Sequence, residues 1–218
     1  MGIGIEVHQF ENKIIESLGI AWVHIKVCEL GNQKIKFRYP RIPAKKYYKK
    51  LGVQEHVSID LNGKNGALQI DLDFPVPGDL LNRFNIVTNY GTLEHVNNQY
   101  QAFKNMHDVC EIEGIMIHSF PPAGHWEGHG RYYYSEKFAE QLAQSCGYEI
   151  IGEITRVARG GEKGHDLIMA AFKKTTTDFI DQQTFLKLEY EDTKGLTTTG
   201  NYTQKKRNIL NRLFNKNP

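Results

Sequence analysis

Cysteine is scarce in this chain of 218 residues. Cys28, Cys110 and Cys146 are odd in number, widely spaced and without a CxxC pair, so neither a disulfide framework nor a structural zinc site is expected. Long apolar runs are missing as well. No stretch approaches the roughly 20 residues that span a bilayer. The opening MGIGIEVHQFENK has no basic n-region and no apolar core, so a secretory signal is not expected and a reduced, cytoplasmic setting is the default. Charge of one sign is lacking too, and a net charge of +2 excludes a global nucleic-acid footprint. No internal repeat is visible. What is present is 40% apolar residues, enough for the core of one domain.

Strand and helix patterns alternate along the chain. Glu6–Gly19 places Val7, Phe10, Ile14, Ile15 and Leu18 at helical spacing and stops at a glycine. WVHIKVCEL (22–30) is predicted to be a strand that reaches Glu29 just before Gly31. VSIDL (57–61) and ALQIDL (67–72) repeat that grammar, with Asp60 and Asp71 near their ends. FNIVTNY (84–90) reads as a buried strand breaking into Asn89, Tyr90 and Gly91, with Glu94 and His95 heading the next element. A helix is predicted over Asn97–Cys110, a strand over Ile115–Phe120, and a helix over Ser135–Cys146 with Ser135 as N-cap and Gly147 as stop. Tyr148–Val157 and Asp166–Lys173 are joined by a connection short enough only for an antiparallel pair. Only NGKNG separates the second and third strands, too little for a crossover helix, so ALQIDL is predicted to be an antiparallel hairpin partner or an extended lip. The fold class is α/β: a Rossmann-like, mostly parallel sheet with helices on both faces and a C-terminal antiparallel hairpin. Residues 1–174 form the domain, with a helical lead-in over 1–20, and 175–218 form an arm with a basic amphipathic tail.

Acids at strand ends carry the first chemical signal. The carboxyl ends of parallel strands are where open α/β sheets bind ligands, and a carboxylate such as Asp60 can accept both hydroxyls of a ribose. Gly31 lets backbone approach a ligand closely, and Glu29, directly after a β-branched run, needs a partner. A strand-end acid can equally cap its own turn. The second signal is IMIHSFPPAGHWEGHG (115–130), which sets His118, His125 and His129 in a loop beyond a strand. A histidine there, or His95, has the right titration range for a general base. Trp126 and Tyr132–Tyr134 could wall an acceptor pocket. The glycines of this loop oppose the helix that paired HExxH ligands require, so no metal ligands are assigned.

VCELGNQ, SIDLNG, ALQIDLDFPVP and FNIVTNYGTLEHV, followed by GIMIHSFP and closed by EIIGEITRV to HDLIMAAFKK, together resemble the class I S-adenosylmethionine-dependent methyltransferases over roughly residues 22–174. The resemblance implies S-adenosylmethionine as cofactor. It would be held by Glu29, Gly31 and Asn32 at the first turn, Asp60 and Leu61 at the ribose, Asp71 and Leu72 at the adenine, and Asn89, Tyr90 and Gly91 beneath the methyl group. His95, His125 and His129 are then the catalytic candidates, with Trp126, Tyr132 and Tyr133 against the acceptor. The expected reaction is transfer to an oxygen, less readily a nitrogen, of a small polar molecule. A sugar or phosphorylated intermediate of surface polysaccharide synthesis would suit the basic segment Lys34–Lys50.

The family's turn usually reads GxGxG, whereas GNQKI has one glycine. That departure sustains a rival, a non-catalytic methyltransferase-like binding or scaffold protein. A second rival is a metal-dependent hydrolase using His118, His125 and His129. No nucleic-acid partner is expected. The tail QKKRNILNRLFNK reads as a packing helix or frayed end, with contact to an anionic membrane surface as the alternative.

Overall fold

The chain is seen in a computed structural model that describes residues 2–37, 39–160 and 164–194. The helix α1 (Ile5–Ser17) precedes β1 (Lys26–Leu30), and a small ribbon of β2 (Lys34–Ile35) and β3 (Ile42–Pro43) leads into α2 (Ala44–Leu51) and β4 (Glu55–Ile59). Next come β5 (Phe84–Tyr90), α3 (Gln99–Val109), β6 (Cys110–Phe120), β7 (Tyr132–Tyr134) and α4 (Glu136–Cys146). The last elements are β8 (Glu149–Ile150), β9 (Thr155–Val157), β10 (Leu167–Lys173), α5 (Gln182–Phe185) and β11 (Tyr190–Asp192). Among the described residues, seven strands form one sheet in the order β4-β1-β5-β6-β10-β8, with β9 also on β10. β4, β1, β5 and β6 run parallel, and β10 closes the sheet antiparallel to β6.

Alternating side chains of the strands face two separate cores. Cys28, Leu30, Val87 and Met116 pack with Phe103 and Met106 of α3 and Phe138 and Leu142 of α4. Val27, Ile86, Ile115 and Ile117 pack instead with Val7, Ile14 and Ile15 of α1 and Tyr47 and Tyr48 of α2. Helices therefore cover both faces, as an all-buried parallel sheet requires. The caps read from sequence are in place on α4: the Ser135 side chain accepts the Phe138 amide, and Gly147 ends the helix in the left-handed region at φ 69°.

Several expectations need correction. Trp22–His24 is a single 3-10 turn, and the first strand begins only at Lys26, whose amide donates to Asn85 Oδ1 at 2.8 Å. ALQIDL makes no antiparallel hairpin; Leu68 forms one isolated parallel bridge with Ile59. Gly63, Asn65 and Gly66, all at positive φ, turn the chain back on itself so that it returns in its original direction. The segment is the lip, not the strand. Tyr148–Val157 is split into β8 and β9, with Gly152 at φ 72° between them. Residues 175–194 lie against the body of the domain: Phe185 is fully buried in the larger core, and β11 pairs antiparallel with β7. The basic tail at 204–216 lies outside the described residues. No described helix is long and apolar enough to cross a membrane.

One topological fact positions everything below. The chain steps from β1 outward to β4, then returns to lay β5 on the other side of β1. Leu30 is in register with both Ile59 and Asn89, so the ends of three parallel strands meet where the strand order reverses. That crevice is the default ligand position of an open α/β sheet.

Candidate functional site

On the β1 side of the crevice, Glu29 is 1% exposed. Its Oε2 lies 3.5 Å from His56 Nε2, while Oε1 has no hydrogen-bond partner. Burial raises its carboxyl above the usual range, and His56 opposes that rise. Gly31 turns at φ 96°, and a Cβ there would meet Thr92 Oγ1 at 2.2 Å, so only glycine fits. Across the gap, Asn89 Oδ1 accepts the Thr92 and Leu93 amides, both at 3.1 Å, and holds the single 3-10 turn Leu93–His95. The Asn89 Nδ2 group, also buried, has no hydrogen-bond partner. Unpartnered buried polar atoms are uncommon enough to call for an explanation, and a bound ligand is one.

The other expected donor contacts are placed differently. Asp60 uses its carboxylate locally, taking the Asn32 amide at 2.8 Å and the Asn62 amide at 3.0 Å. The Asn32 side chain is spent on the same turn, donating to Asn62 Oδ1 and Lys64 O. Leu61 is half-buried beside the core. Asp71 accepts the Asp73 amide, and the Leu72 carbonyl accepts from Asn105 of α3. The Tyr90 side chain points away from the crevice, donating to Glu11 at 3.0 Å, so only the Tyr90 and Gly91 backbone can serve the strand end. Gln33, which with Asn32 fills a place where the family's turn lets backbone approach closely, donates to Thr92 Oγ1 at 3.0 Å, and that hydroxyl donates to Leu30 O at 2.7 Å. This bridge ties the turn after β1 to the turn after β5 in the place a glycine-rich turn would leave open.

Beyond Asn89 the 3-10 turn presents Glu94 and His95, and the loop 121–131 brings His129 onto them. Glu94 Oε1 lies 3.7 Å from His95 Nε2 and 3.8 Å from His129 Nε2, and the two imidazoles meet edge to face at 4.9 Å. Glu94 is fully buried, and neither of its oxygens has a hydrogen-bond partner. Burial pushes its carboxyl up to about 7, holds His95 well below its ordinary value, and lowers His129 to about 4. Both rings are therefore neutral near pH 7. Gly130 makes this packing possible, since a Cβ there would lie 2.8 Å from Glu94 Cγ. The Arg131 amide donates to Glu94 O at 3.0 Å and fixes the loop to the turn.

The remaining candidates fall outside this cluster. His118 is buried among Phe103, Phe120 and Phe172, and burial lowers it to about 3. His125 is engaged at both nitrogens, with Nδ1 taking the Asp166 amide at 3.1 Å and Nε2 lying 2.8 Å from Arg156 Nη2. Trp126 donates from Nε1 to Asp166 O at 2.6 Å, and its ring lies 5.5 Å from that of His129. Tyr132 is a core residue whose hydroxyl donates to Asn97 O, whereas Tyr133 lines a cavity of about 520 Å³ with His125, Glu127, Gly130, Glu191 and Thr193. Of the three sequence-named histidines, the structure brings His95 and His129 together and leaves His125 apart.

No protein-family model matches the sequence, and no curated protein matches it. Solved structures do match the fold. A Burkholderia thailandensis 1,6-didemethyltoxoflavin-N1-methyltransferase, solved with its substrate and S-adenosylhomocysteine, superposes with a TM-score of 0.54 at 15% identity over 77% of each chain. A putative S-adenosylmethionine-dependent methyltransferase from Listeria monocytogenes superposes at 0.51 and 12% identity, over 78% of this chain and all of that one. The [4+2]-cyclase SpnF superposes at 0.54 and 14% identity, over 78% of this chain and 82% of its own. The chain has the class I, Rossmann-like methyltransferase fold. A cyclase on the same scaffold shows that the reaction is decided by the site, not by the fold.

Proposed function

We propose that this protein is an S-adenosylmethionine-dependent methyltransferase that acts on an oxygen of a small polar acceptor. One observation carries the reading: at the point where the strand order reverses, Glu29 and Asn89 each keep a buried polar atom without a partner, on either side of a glycine-only turn. Those residues suit a ligand with both donors and acceptors, as the amino-acid part of the cofactor has. The bound cofactor supplies a methyl group on a cationic sulfur, open to displacement. Glu29, Gly31 and Asn89 would hold it, the Asn89–Gly91 backbone would floor it, and Asn32, Asp60, Leu61, Asp71 and Leu72 would shape the nucleoside side. His95 and His129, neutral through burial, would orient the acceptor hydroxyl and take its proton, and alignment would supply most of the rate. Lys36, Arg159 and Arg41 interact electrostatically, and Lys36 and Arg159 also act on His129; this supports an acceptor carrying phosphate, such as a sugar intermediate of surface polysaccharide synthesis.

The test is calorimetric titration with S-adenosylhomocysteine, followed by a screen of hydroxylated and phosphorylated sugars with labelled donor. One-to-one binding and an O-methyl product are expected. No binding at millimolar ligand would sink the reading, and an N-methyl product would move the acceptor atom to nitrogen. The Gln33–Thr92 bridge favours a second reading, a non-catalytic binding protein with a closed crevice. Under that reading Gln33→Gly, which opens the turn, would give no donor binding either.

A further inference from the structure

We propose that Glu94, His95 and His129 hold a divalent transition-metal ion of the zinc or manganese kind. One ligand atom from each lies within 4.8 Å of the others, in the one such group of His, Cys, Asp and Glu among the described residues. Glu94 is the independent observation. A fully buried carboxylate with no donor from another residue on either oxygen is costly unless a cation or hydrogen bonds compensate it, and here the neighbours of Oε1 are two imidazoles at 3.7 and 3.8 Å. Ligand atoms on a tetrahedral ion with bonds of about 2.1 Å sit roughly 3.4 Å apart, so a contraction of roughly 0.3–0.4 Å would close the carboxylate onto both rings.

The donor set selects the metal. Two imidazoles and one carboxylate suit zinc, manganese and their neighbours, whereas magnesium favours oxygen ligands. Three protein ligands also leave positions open, the arrangement of sites that bind a substrate. His129 is the outermost of the three, with its side chain 14% exposed, so the open side faces the loop 121–131. Gly130 and the Arg131 amide fix that loop on Glu94, so the three ligands are held by backbone packing and not only by their own side chains.

The ion site stands without any assigned reaction; its role toward an acceptor rests on the methyl-transfer reading. In that role the ion would bind the acceptor hydroxyl, and a neighbouring oxygen where there is one, and favour loss of the hydroxyl proton to water. His95 and His129 would then act through the ion and not as free bases. The sequence pair in HWEGH contributes only its second member, since His125 is tied to Asp166 and Arg156.

The experiment uses the untagged full-length chain, stripped with chelator and dialysed. Titration with zinc and with manganese chloride should show one ion per chain, with magnesium much weaker. Cobalt(II) should give visible absorption characteristic of imidazole ligation. Glu94→Gln and His129→Ala should each weaken binding by more than about tenfold, while His24→Gln, at an exposed histidine in the turn before β1, should not change it. Circular dichroism checks each variant, and if one fails to fold the cobalt spectrum of the unmodified chain decides. No stoichiometric ion, or binding indifferent to both ligand variants, overturns the proposal. The same metal-free sample is titrated with S-adenosylhomocysteine. Donor binding without metal binding removes the ion site and leaves the methyltransferase reading, and the reverse result does the opposite.

Discussion

Two buried glutamates divide this molecule into structure and site. Glu11, on α1, and Glu94, after β5, are both fully buried and both held near 7 by burial. Glu11 accepts the Tyr48 hydroxyl at 2.5 Å and the Tyr90 hydroxyl at 3.0 Å, both on Oε1, so it pins α1 and α2 to the sheet, while its Oε2 has no hydrogen-bond partner. Glu94 has no donor from another residue and two neutral imidazoles beside it. Equal burial and equal displacement thus accompany different hydrogen-bond states: one Glu11 oxygen takes two hydroxyls, whereas neither Glu94 oxygen takes a donor from another residue. A displaced carboxyl alone does not mark a site; a displaced carboxyl whose oxygens are left waiting does.

The comparison breaks most visibly in turnover. Glu94→Gln should lower methyl transfer by about 10²–10⁴-fold, as expected for loss of acid–base or ion-binding chemistry, while changing donor affinity by no more than about twofold and leaving the melting temperature unchanged or raised. Steady-state rates beside calorimetry read this, and a parallel loss of donor binding would make Glu94 structural. The next effect belongs to Glu11. Its folded value lies above its unfolded one, so its contribution is fullest below about pH 4.5 and is lost as pH rises through 7, by about 3 kcal/mol in all. Denaturant unfolding from pH 4 to 8 should show that slope in the unmodified chain relative to Glu11→Gln; parallel profiles would refute it.

Smaller effects sharpen the same contrast. Tyr48→Phe leaves the Glu11 carboxyl with Tyr90 alone and should reduce stability by about 1–3 kcal/mol without touching donor affinity, as thermal unfolding and titration would show. Asn89→Asp keeps the oxygen that caps the 93–95 turn and removes the unpartnered Nδ2. Donor affinity should fall about tenfold, the worth of one hydrogen bond of about 1.4 kcal/mol, and the new buried carboxyl should lower stability as well. Unchanged affinity would place the donor elsewhere.

Much of the fold was readable from local pattern. β-branched runs ending in Glu29, Asp60 and Asn89 marked the parallel strands, and Ser135 and Gly147 marked the limits of α4, because those signals depend only on neighbours in sequence. At Ala67–Leu72 the lip alternative holds and the hairpin alternative fails, because three positive-φ residues undo a reversal that Asn-Gly pairs usually signal. The site was legible in part. His95 and His129 are named as candidates, but Glu94 is read only as heading the next element with His95, since 35 positions separate it from His129 and only Gly130 makes that contact possible. Glu11 was overlooked although it sits on the apolar stripe of Val7, Ile14 and Ile15, where an acid needs a partner. Gln33 gave no signal beyond the missing glycine.

The pairing of β11 with β7 has a reach beyond its three residues. Arg131, whose amide holds the Glu94 carbonyl, also donates through its guanidinium to both oxygens of Asp192, at 2.8 and 2.7 Å, and the Thr193 amide returns to Arg131 O. The last described strand is thus a brace behind the histidine loop. Breaking that brace at Asp192 would loosen the histidine loop and leave the contacts of β1, β4 and β5 in place, so a change far along the chain would separate holding a donor from presenting it to an acceptor.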